Sequence, residues 1–313
     1  MKNLLLLIII SLYCCNNDNS IKCVATSLNP VYIPTQNCIT IPDSPSQQGY
    51  DFLIAEELFV SPVFNPINPN EFAYVIKDGN NTETRIAIYN LNEKCNKIIY
   101  KGIVTSHLEW TINNWIVFTA KGITKIKPDG SSLTVIAPTD INFTIKNRGT
   151  QLMYKSSSLL DYKYYIIDLN GKKLDSIISI NGLDLEWNNE KVLFSQYDSI
   201  TLYNTQTKEK SSHCQEYNLI GISKCLWISE NKFIWSNKDG LFKTDISTNS
   251  TILIKNFCNA FKYNNFNYIE ESNSLICQKI TRELIGQNLL KININIVMMA
   301  ITGENERIIT LEN

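Results

Sequence analysis

One tripeptide that occurs twice contains the residues best suited to chemistry. Leu-Glu-Trp appears at two places 77 residues apart, each time just before a short apolar run. In each copy a carboxylate, Glu109 or Glu186, alternates with large apolar side chains, as in a strand with one buried face and one polar face. These carboxylates, with Trp110 and with Asp184 beside the second copy, could contact a ligand or a cation. The alternative is a hydrogen-bonded or solvated carboxylate on a channel wall, which is favoured because such walls face ordered water.

The other motifs that would indicate an enzyme are weak. Histidine occurs only at His107 and His213, and the nearest approach to the G-x-S-x-G elbow of a serine hydrolase, "GISKC" at 221–225, lacks the second glycine. Nucleotide-binding and phosphate-binding motifs are absent. Carboxylates from separate loops could still be paired for glycoside hydrolysis. We therefore assign no catalytic residue, metal site or cofactor from the sequence.

The overall charge gives no sign of a nucleic-acid partner. The 313 residues include 29 basic and 30 acidic side chains, without runs of like charge. A balanced surface exerts no long-range pull on nucleic acid or on an anionic membrane. We expect no nucleic-acid binding.

The elements that must position these residues form a repeat. Six short apolar runs begin at positions 71, 115, 151, 191, 232 and 274, so the spacing is 36–44 residues. A second and a third run follow each of them, separated by turns rich in Asn, Asp and Gly. A further short strand ending near an aromatic residue precedes each unit, and Leu-Glu-Trp is that innermost strand in units two and four.

Each unit is therefore expected to be four strands in about 40 residues. The runs are too short for helices, are rich in Ile, Val, Tyr and Phe, and are separated by hairpin signals. Six such units predict an all-β fold, a six-bladed β-propeller with four antiparallel strands per blade, over residues 51–313. A sandwich pair or a solenoid is the rival all-β arrangement. In the propeller the tryptophans of the innermost strands are expected to pack between sheets rather than to form sugar platforms.

The repeat resembles the TolB-type six-bladed propellers. Its best matches to that family are "YYIIDLNGKKL" at 164–174 and "ITKIKPDGSSL" at 123–133, and the likeness covers roughly residues 55–313. The family's "SPDG" at the first turn is largely absent. Unit six departs from the pattern through an insertion at 280–292, between its second and third strands. The resemblance implies the fold and a protein partner in the cell envelope.

The N-terminus is typical of an exported protein. An apolar stretch after Lys2 is too short to span a bilayer, which indicates a signal peptide over residues 1–14. The sequence from Leu12 to Cys15 resembles the bacterial lipobox, which implies that Cys15 becomes the lipidated first residue. Tyr13 departs from the lipobox pattern, so Cys14 remains an alternative, as does an ordinary secretory signal. Residues 15–50, rich in Asn, Ser and Pro, are expected to be a tether.

Seven further cysteines follow the signal peptide and Cys15. Seven is an odd number, so at least one is expected to stay free or to pair between molecules. Cys23 and Cys38 are the most plausible local bridge in an exported protein. No C-x-x-C pair occurs, which argues against a structural zinc site.

Together these features predict an envelope lipoprotein, expected on the outer membrane, with a TolB-like propeller that binds a protein or a small ligand on one face. We expect a binding scaffold rather than an enzyme. The alternative is a propeller lyase or hydrolase that acts on envelope or dietary glycans. A cluster of His, Arg, Tyr and carboxylates at one channel mouth would favour the enzyme, and a flat or apolar rim would favour the scaffold.

Overall fold

The structure, a computed structural model, is an all-β propeller of six sheets arranged in a ring. It describes residues 51–309 and 311, with these exceptions: 55–56, 79–82, 105–106, 140–142, 156–162, 179–184, 196–198, 214–224, 238, 258–260 and 286–288. The predicted fold, six blades of four antiparallel strands, is confirmed. The predicted signal peptide and tether lie outside the described residues.

Each of the first five blades is an antiparallel sheet whose strands follow one another in chain order from the axis outward. Their bounds are as follows: blade one has β2 (Glu57–Phe64), β3 (Glu71–Asp78), β4 (Thr84–Asn90) and β5 (Cys95–Gly102); blade two has β6 (Leu108–Trp110), β7 (Ile116–Ala120), β8 (Gly122–Ile126) and β9 (Thr134–Ala137); blade three has β10 (Phe143–Ile145), β11 (Gln151–Lys155), β12 (Lys163–Asp168) and β13 (Lys173–Ile178); blade four has β14 (Leu185–Asn188), β15 (Lys191–Ser195), β16 (Ile200–Asn204) and β17 (Lys210–His213); blade five has β18 (Leu226–Ser229), β19 (Lys232–Ser236), β20 (Gly240–Asp245) and β21 (Ser250–Asn256).

Blade six is built differently, because it receives a strand from the beginning of the described chain. Its own strands are β22 (Phe261–Ile269), β23 (Ser274–Leu284), β24 (Leu289–Ala300) and the very short β25 (Arg307–Ile308). The outer edge of β24 is shared: β25 pairs with its C-terminal half, while β1 (Asp51–Ile54) pairs in parallel with its N-terminal end. The sequence predicted the antiparallel strands and did not predict β1. The parallel strand joins the two ends of the propeller and closes the ring.

The insertion of unit six lengthens this hairpin instead of forming a separate loop. The pairing of β23 with β24 continues without a register shift from Ser274 opposite Ala300 to Leu284 opposite Leu290. The extension lies at the end of the blade that is remote from the turn between β22 and β23. Since β1 pairs with residues 289–292, it lies at that same end.

The burial of the strands follows their position in the blade. Second strands such as β7 and β15 are buried along almost their whole length, because a neighbouring blade covers each face of the sheet. Outermost strands are more exposed: β17 alternates between exposed and half-buried residues, and β5 has one buried residue, Ile99, among exposed and half-buried ones. This explains why the sequence of β17, Lys-Ser-Ser-His, is polar: β17 is outermost and needs no apolar face.

The core is divided into six apolar clusters, one for each pair of neighbouring blades. The tryptophans of the innermost strands belong to them: Trp110 packs between blades one and two, Trp187 between three and four, and Trp227 between four and five. Trp110 is fully buried. The expectation that these side chains pack between sheets agrees with these positions.

Three of the Gly turns in the repeat are fixed by close contact with the preceding blade. Gly130, Gly171 and Gly303 all have positive φ, and a Cβ at Gly171 would approach the Ile136 carbonyl oxygen to 2.6 Å. The corresponding distances are 3.2 Å from Gly130 to Ile99 O and 2.9 Å from Gly303 to Ile254 O. Any side chain there would be strained and would push neighbouring blades apart. The Asp-Gly and Asn-Gly signals in the sequence therefore report on contacts between blades as well as on turns.

A group of charged side chains ties blade six to blade five. Lys255 on β21 and Lys279 on β23 both contact the carboxylate of Glu306, the latter at 2.6 Å, and the Tyr263 hydroxyl donates to the same carboxylate at 2.6 Å. Burial alone would raise the pKa of Glu306, but the hydrogen bonds from these three side chains outweigh it and lower the pKa to about 2. The same surroundings, burial first and then Glu306, raise the pKa of Tyr263.

We predict that Glu306 makes the propeller sensitive to acid. Because the pKa of its carboxyl is lower in the folded chain than its ordinary value of 4.5, its contribution to stability is present above pH 4.5 and is lost as the pH falls towards 2. Glu306→Gln should lower the free energy of unfolding at pH 7 by about 1–3 kcal/mol, since two half-buried lysines lose their anion. It should also flatten the dependence of that free energy on pH between 4.5 and 2.

The measurement is urea unfolding at a series of pH values. The matched control is Glu304→Gln, two residues away and exposed, which should leave the free energy of unfolding within about 0.5 kcal/mol of wild type. Equal acid sensitivity in Glu306→Gln and wild type would contradict the assignment.

Candidate functional site

A cavity of about 330 Å³ opens at the end of the ring where the innermost strands end. Its walls come from all six blades, through the last residues of the innermost strands and the turns that follow them. The residues lining it are Phe64, Asn65, Pro66, Glu109, Ile145, Asn147, Arg148, Glu186, Trp187, Asn188, Leu226, Trp227, Ile228, Ser229, Asn267, Tyr268, Ile269, Glu270 and Glu271.

The period of the innermost strands explains why glutamates face this cavity. In β14 the buried residues Leu185 and Trp187 alternate with the half-buried Glu186 and Asn188. Successive side chains of a strand point to opposite faces, so Glu186 points away from the cluster that holds Leu185 and Trp187, and there it lines the cavity. The repeated Leu-Glu-Trp is therefore the sequence of a strand that packs against neighbouring blades and presents a carboxylate to the channel.

Of the residues predicted as a binding site, two reach the cavity. Glu109 is 6% exposed and Glu186 is half-buried, and both line the cavity. Trp110 is fully buried in the cluster between blades one and two. Asp184 lies outside the described residues. Whether Glu109, Trp110, Asp184 and Glu186 bind a ligand stays a prediction.

Arg148 crosses the ring, although the sequence analysis did not single it out. It is placed by a 3-10 turn, Lys146–Arg148, in which Asn147 and Arg148 both have positive φ, 49° and 53°. Its guanidinium donates to Asn267 Oδ1 at 2.8 Å and to the Tyr268 carbonyl at 3.2 Å. Arg148 belongs to blade three and both acceptors belong to blade six, on the opposite side of a six-membered ring. The side chain therefore bridges the channel at the cavity.

Asn267 is the acceptor that joins three blades. It is 2% exposed, and its Oδ1 also accepts the backbone N–H of Phe64 in blade one at 3.2 Å. The residue follows an irregularity in β22, where the register with β23 shifts between Asn264 and Asn267. Bulges of this kind redirect side chains. An Asn-rich strand carried no recognisable signal for this role in the sequence.

Further hydrogen bonds connect the turns around the cavity. The side chains of Asn147 and Asn189 meet at 2.6 Å, and the backbone N–H of Asn189 donates to Asn147 Oδ1 at 2.7 Å, which joins blades three and four. The indole N–H of Trp227 donates to the Glu186 carbonyl at 3.2 Å, which joins blades five and four. Part of the wall is thus fixed by contacts between blades.

The cavity carries an excess of negative charge. Its lining includes four glutamates (Glu109, Glu186, Glu270 and Glu271) and one arginine, Arg148, a formal balance of three negative charges. His107 lies 3.4 Å from the Glu109 carboxylate but is not part of the lining. Burial, with the charges of Glu270 and Glu271, raises the pKa of Tyr268. The hydroxyl of Tyr268 donates to Asn273 Oδ1 at 3.0 Å.

The remaining predicted sites can be placed only in part. Among the described residues no group of three or more His, Cys, Asp and Glu side chains is arranged to hold a metal ion. Cys225 and Cys277 are buried free thiols, and Cys95 is an exposed one. The lipidation site Cys15 and the predicted Cys23–Cys38 bridge lie outside the described residues. No helix in the part of the chain that the structure covers is long and apolar enough to cross a bilayer.

The chain has the same fold as several solved propellers. It matches a TolB-type protein from Agrobacterium tumefaciens with a TM-score of 0.54 and 9% identity, over 72% of this chain and 88% of that one. It also matches the β-propeller domain of the trilobed protease from Pyrococcus furiosus, with a TM-score of 0.54 and 11% identity, over 82% and 97% of the two chains. An acylaminoacyl peptidase from Pyrococcus horikoshii gives 0.53 and 11%, over 81% of this chain and 52% of that one.

These similarities show a TolB-like six-bladed propeller fold and nothing finer. This chain spans about half the length of the peptidase. No protein-family model and no curated protein matches the sequence. Function must therefore be argued from the site.

We predict that Asn267 and Arg148 are coupled in stability. Asn267→Ala should lower the free energy of unfolding by about 1–3 kcal/mol, because the buried N–H of Phe64 and the guanidinium of Arg148 both lose an acceptor. Arg148→Met removes one of these donors. The double variant should lose less unfolding free energy than the sum of the losses in the two single variants. We expect this difference, the interaction energy, to be about 0.5–3 kcal/mol, measured by urea unfolding. Strict additivity would show that the bridge across the channel contributes nothing.

Proposed function

We propose that this chain is an exported lipoprotein of the cell envelope, expected on the outer membrane, whose propeller is a binding module with the cavity at its binding face. The partner is an envelope protein or a small ligand. Support for export and anchoring comes from the short apolar N-terminus and from the resemblance of the Leu12–Cys15 sequence to a lipobox. Support for binding comes from the cavity.

The observation that carries the binding proposal is the charged cavity with walls from all six blades. A ligand site is typically a concave, largely pre-formed pocket with a few convergent polar groups. Here apolar residues such as Phe64 and Leu226 share the wall with four carboxylates, and Arg148 and Asn267 hold opposite blades in place. A wall held in this way has little conformational freedom left to lose when a partner binds.

The enzyme alternative has one observation in its favour. Arg148, Tyr268 and four glutamates meet at the mouth, and such residues are used by lyases and hydrolases that act on glycans. Three features count against it. The Arg148 guanidinium is engaged by acceptors of blade six, and a tyrosine with a raised pKa is a poor base. His213, on the outermost strand β17, is remote from the mouth.

The anchoring part of the proposal predicts the effect of one substitution. Cys15→Ser should release the protein from the membrane fraction into the periplasm or the medium, because the acyl chains that would hold it are lost. The measurement is membrane fractionation with detection of the protein in each fraction. Cys14→Ser is the matched control and should stay in the membrane. The reverse result would move the modification to Cys14, and membrane retention of both variants would remove it.

The binding part predicts a cross-linked partner whose capture depends on the cavity. Cross-linking in the native envelope with the wild-type chain should yield a defined partner, and the pair Glu109→Gln and Glu186→Gln should reduce its yield at least about 10-fold, a difference of about 1.4 kcal/mol. Glu283→Gln, on the exposed part of the blade-six hairpin, is the matched control. New reducing or unsaturated sugar ends released from envelope glycans by wild type but not by the cavity variants would instead establish the enzyme.

A further inference from the structure

The cavity has an apolar border on the side of blades one and two. Ile67, in the turn after β2, is 60% exposed, and Ile112, in the turn after β6, is 54% exposed. Both positions are fixed: the Ile67 N–H donates to Asn65 Oδ1 at 2.9 Å and the Ile112 N–H donates to the Arg148 carbonyl at 2.8 Å. Asn65 and Arg148 both line the cavity, so each isoleucine stands next to the wall. We call Ile67 and Ile112 the isoleucine rim.

Two lysines close in sequence to lining residues, Lys146 and Lys191, are engaged by other groups. Lys146 lies 3.6 Å from Glu190 and 5.4 Å from the centre of the Trp187 ring. Lys191 donates to the Glu230 carbonyl and to Asn231 Oδ1. Neither lysine is part of the described lining, in which four glutamates outnumber one arginine, Arg148, and His107 lies 3.4 Å from the Glu109 carboxylate. This excess of carboxylates makes the local field of the cavity negative. A cavity with one sign of charge and low-dielectric walls attracts groups of the opposite sign.

The geometry points to an extended segment of a partner protein that carries a basic side chain next to an apolar one. We propose that a lysine or arginine of this segment enters the cavity towards Glu109 and Glu186, and that its apolar neighbour rests on the isoleucine rim. This inference rests on the proposed binding function and specifies the chemistry of its partner.

The size and the polarity of the site fit this occupant. A cavity of 330 Å³ is at the small end of ligand sites and matches one or two side chains better than a folded surface. The amide oxygens of Asn65 and Asn147 each accept one backbone N–H and keep a second lone pair, and Asn188 lines the same cavity. These side chains can therefore accept from a guanidinium or an ammonium, which have only donors. Among the described lining residues, an acidic segment would meet three excess negative charges and one cation, Arg148, which is already bound to blade six.

The test uses a phage-displayed library of random seven-residue peptides selected on the purified full-length chain. We expect enrichment of Lys or Arg next to Leu, Ile, Val or Phe. One selected peptide is then synthesised with arginine or with citrulline, which has the same shape without the charge, and the dissociation constants are measured by fluorescence anisotropy. The citrulline peptide should bind at least about 10-fold more weakly, and raising the salt concentration should weaken the arginine peptide more than the citrulline peptide.

Substitutions in the chain locate the contact. Glu186→Gln, or Glu271→Gln at an exposed lining residue if the first variant does not fold, should reduce the difference in affinity between the arginine and citrulline peptides, whereas Glu283→Gln should preserve it. Ile67→Ser should weaken the binding of both peptides equally. Ile252→Ser, the same change at a 48% exposed position on the outermost strand of blade five, should weaken the binding of neither.

Each other result has a defined meaning. Selection of acidic peptides, or equal binding of the arginine and citrulline peptides, would overturn the inference. So would an undiminished difference in both glutamate variants. If peptides fail in these ways while cross-linking still yields a partner that depends on Glu109 and Glu186, the binding function stands and only the basic segment is wrong. If no partner is captured and the basic peptides still bind through the cavity, the inference stands and the envelope partner is wrong.

Discussion

The whole structure depends on the burial of sheet faces against neighbouring sheets. A single sheet of four short strands with apolar side chains on both faces has no stable free form in water. Each of the six clusters between blades contains at least seven buried side chains, and a fully buried Val, Leu, Ile or Phe contributes about 1.5–3 kcal/mol. A hydrogen bond between blades contributes about 0.5–1.5 kcal/mol. The burial of apolar side chains therefore provides most of the stability of the ring, and the polar contacts fix its geometry.

The site follows from the same constraint. In β6 and β14 the Leu and Trp pack between blades, and the glutamate between them, Glu109 or Glu186, points to the opposite face and lines the cavity. The turns that follow place Asn147 and Arg148 in left-handed backbone conformations above the channel. Such conformations are uncommon for residues other than glycine and cluster at functional sites. The position of the mouth is accordingly a consequence of the repeat, and the particular residues in the turns determine its shape and charge.

The sequence was sufficient for the fold and for part of the site, for reasons that particular residues show. The spacing of the runs and the turn signals at Gly130 and Gly171 are local properties of the chain, and they determine blades directly. The contacts of Arg148 with Asn267 join residues 119 positions apart, across the ring, and no spacing rule links them. The parallel pairing of β1 with β24 likewise joins the first and last parts of the propeller. The sequence of the strand Asp51–Ile54 has no feature that would predict which strand it pairs with.

That parallel pairing also determines at which end of the ring the described chain begins. Asp51 lies opposite Leu289, beside the tip of the long hairpin of blade six, whereas the cavity is formed at the other end of the ring, near the turn between β22 and β23. The described chain therefore begins at the end of the ring opposite the mouth. A partner bound at the mouth leaves β1 and its pairing with β24 uncovered.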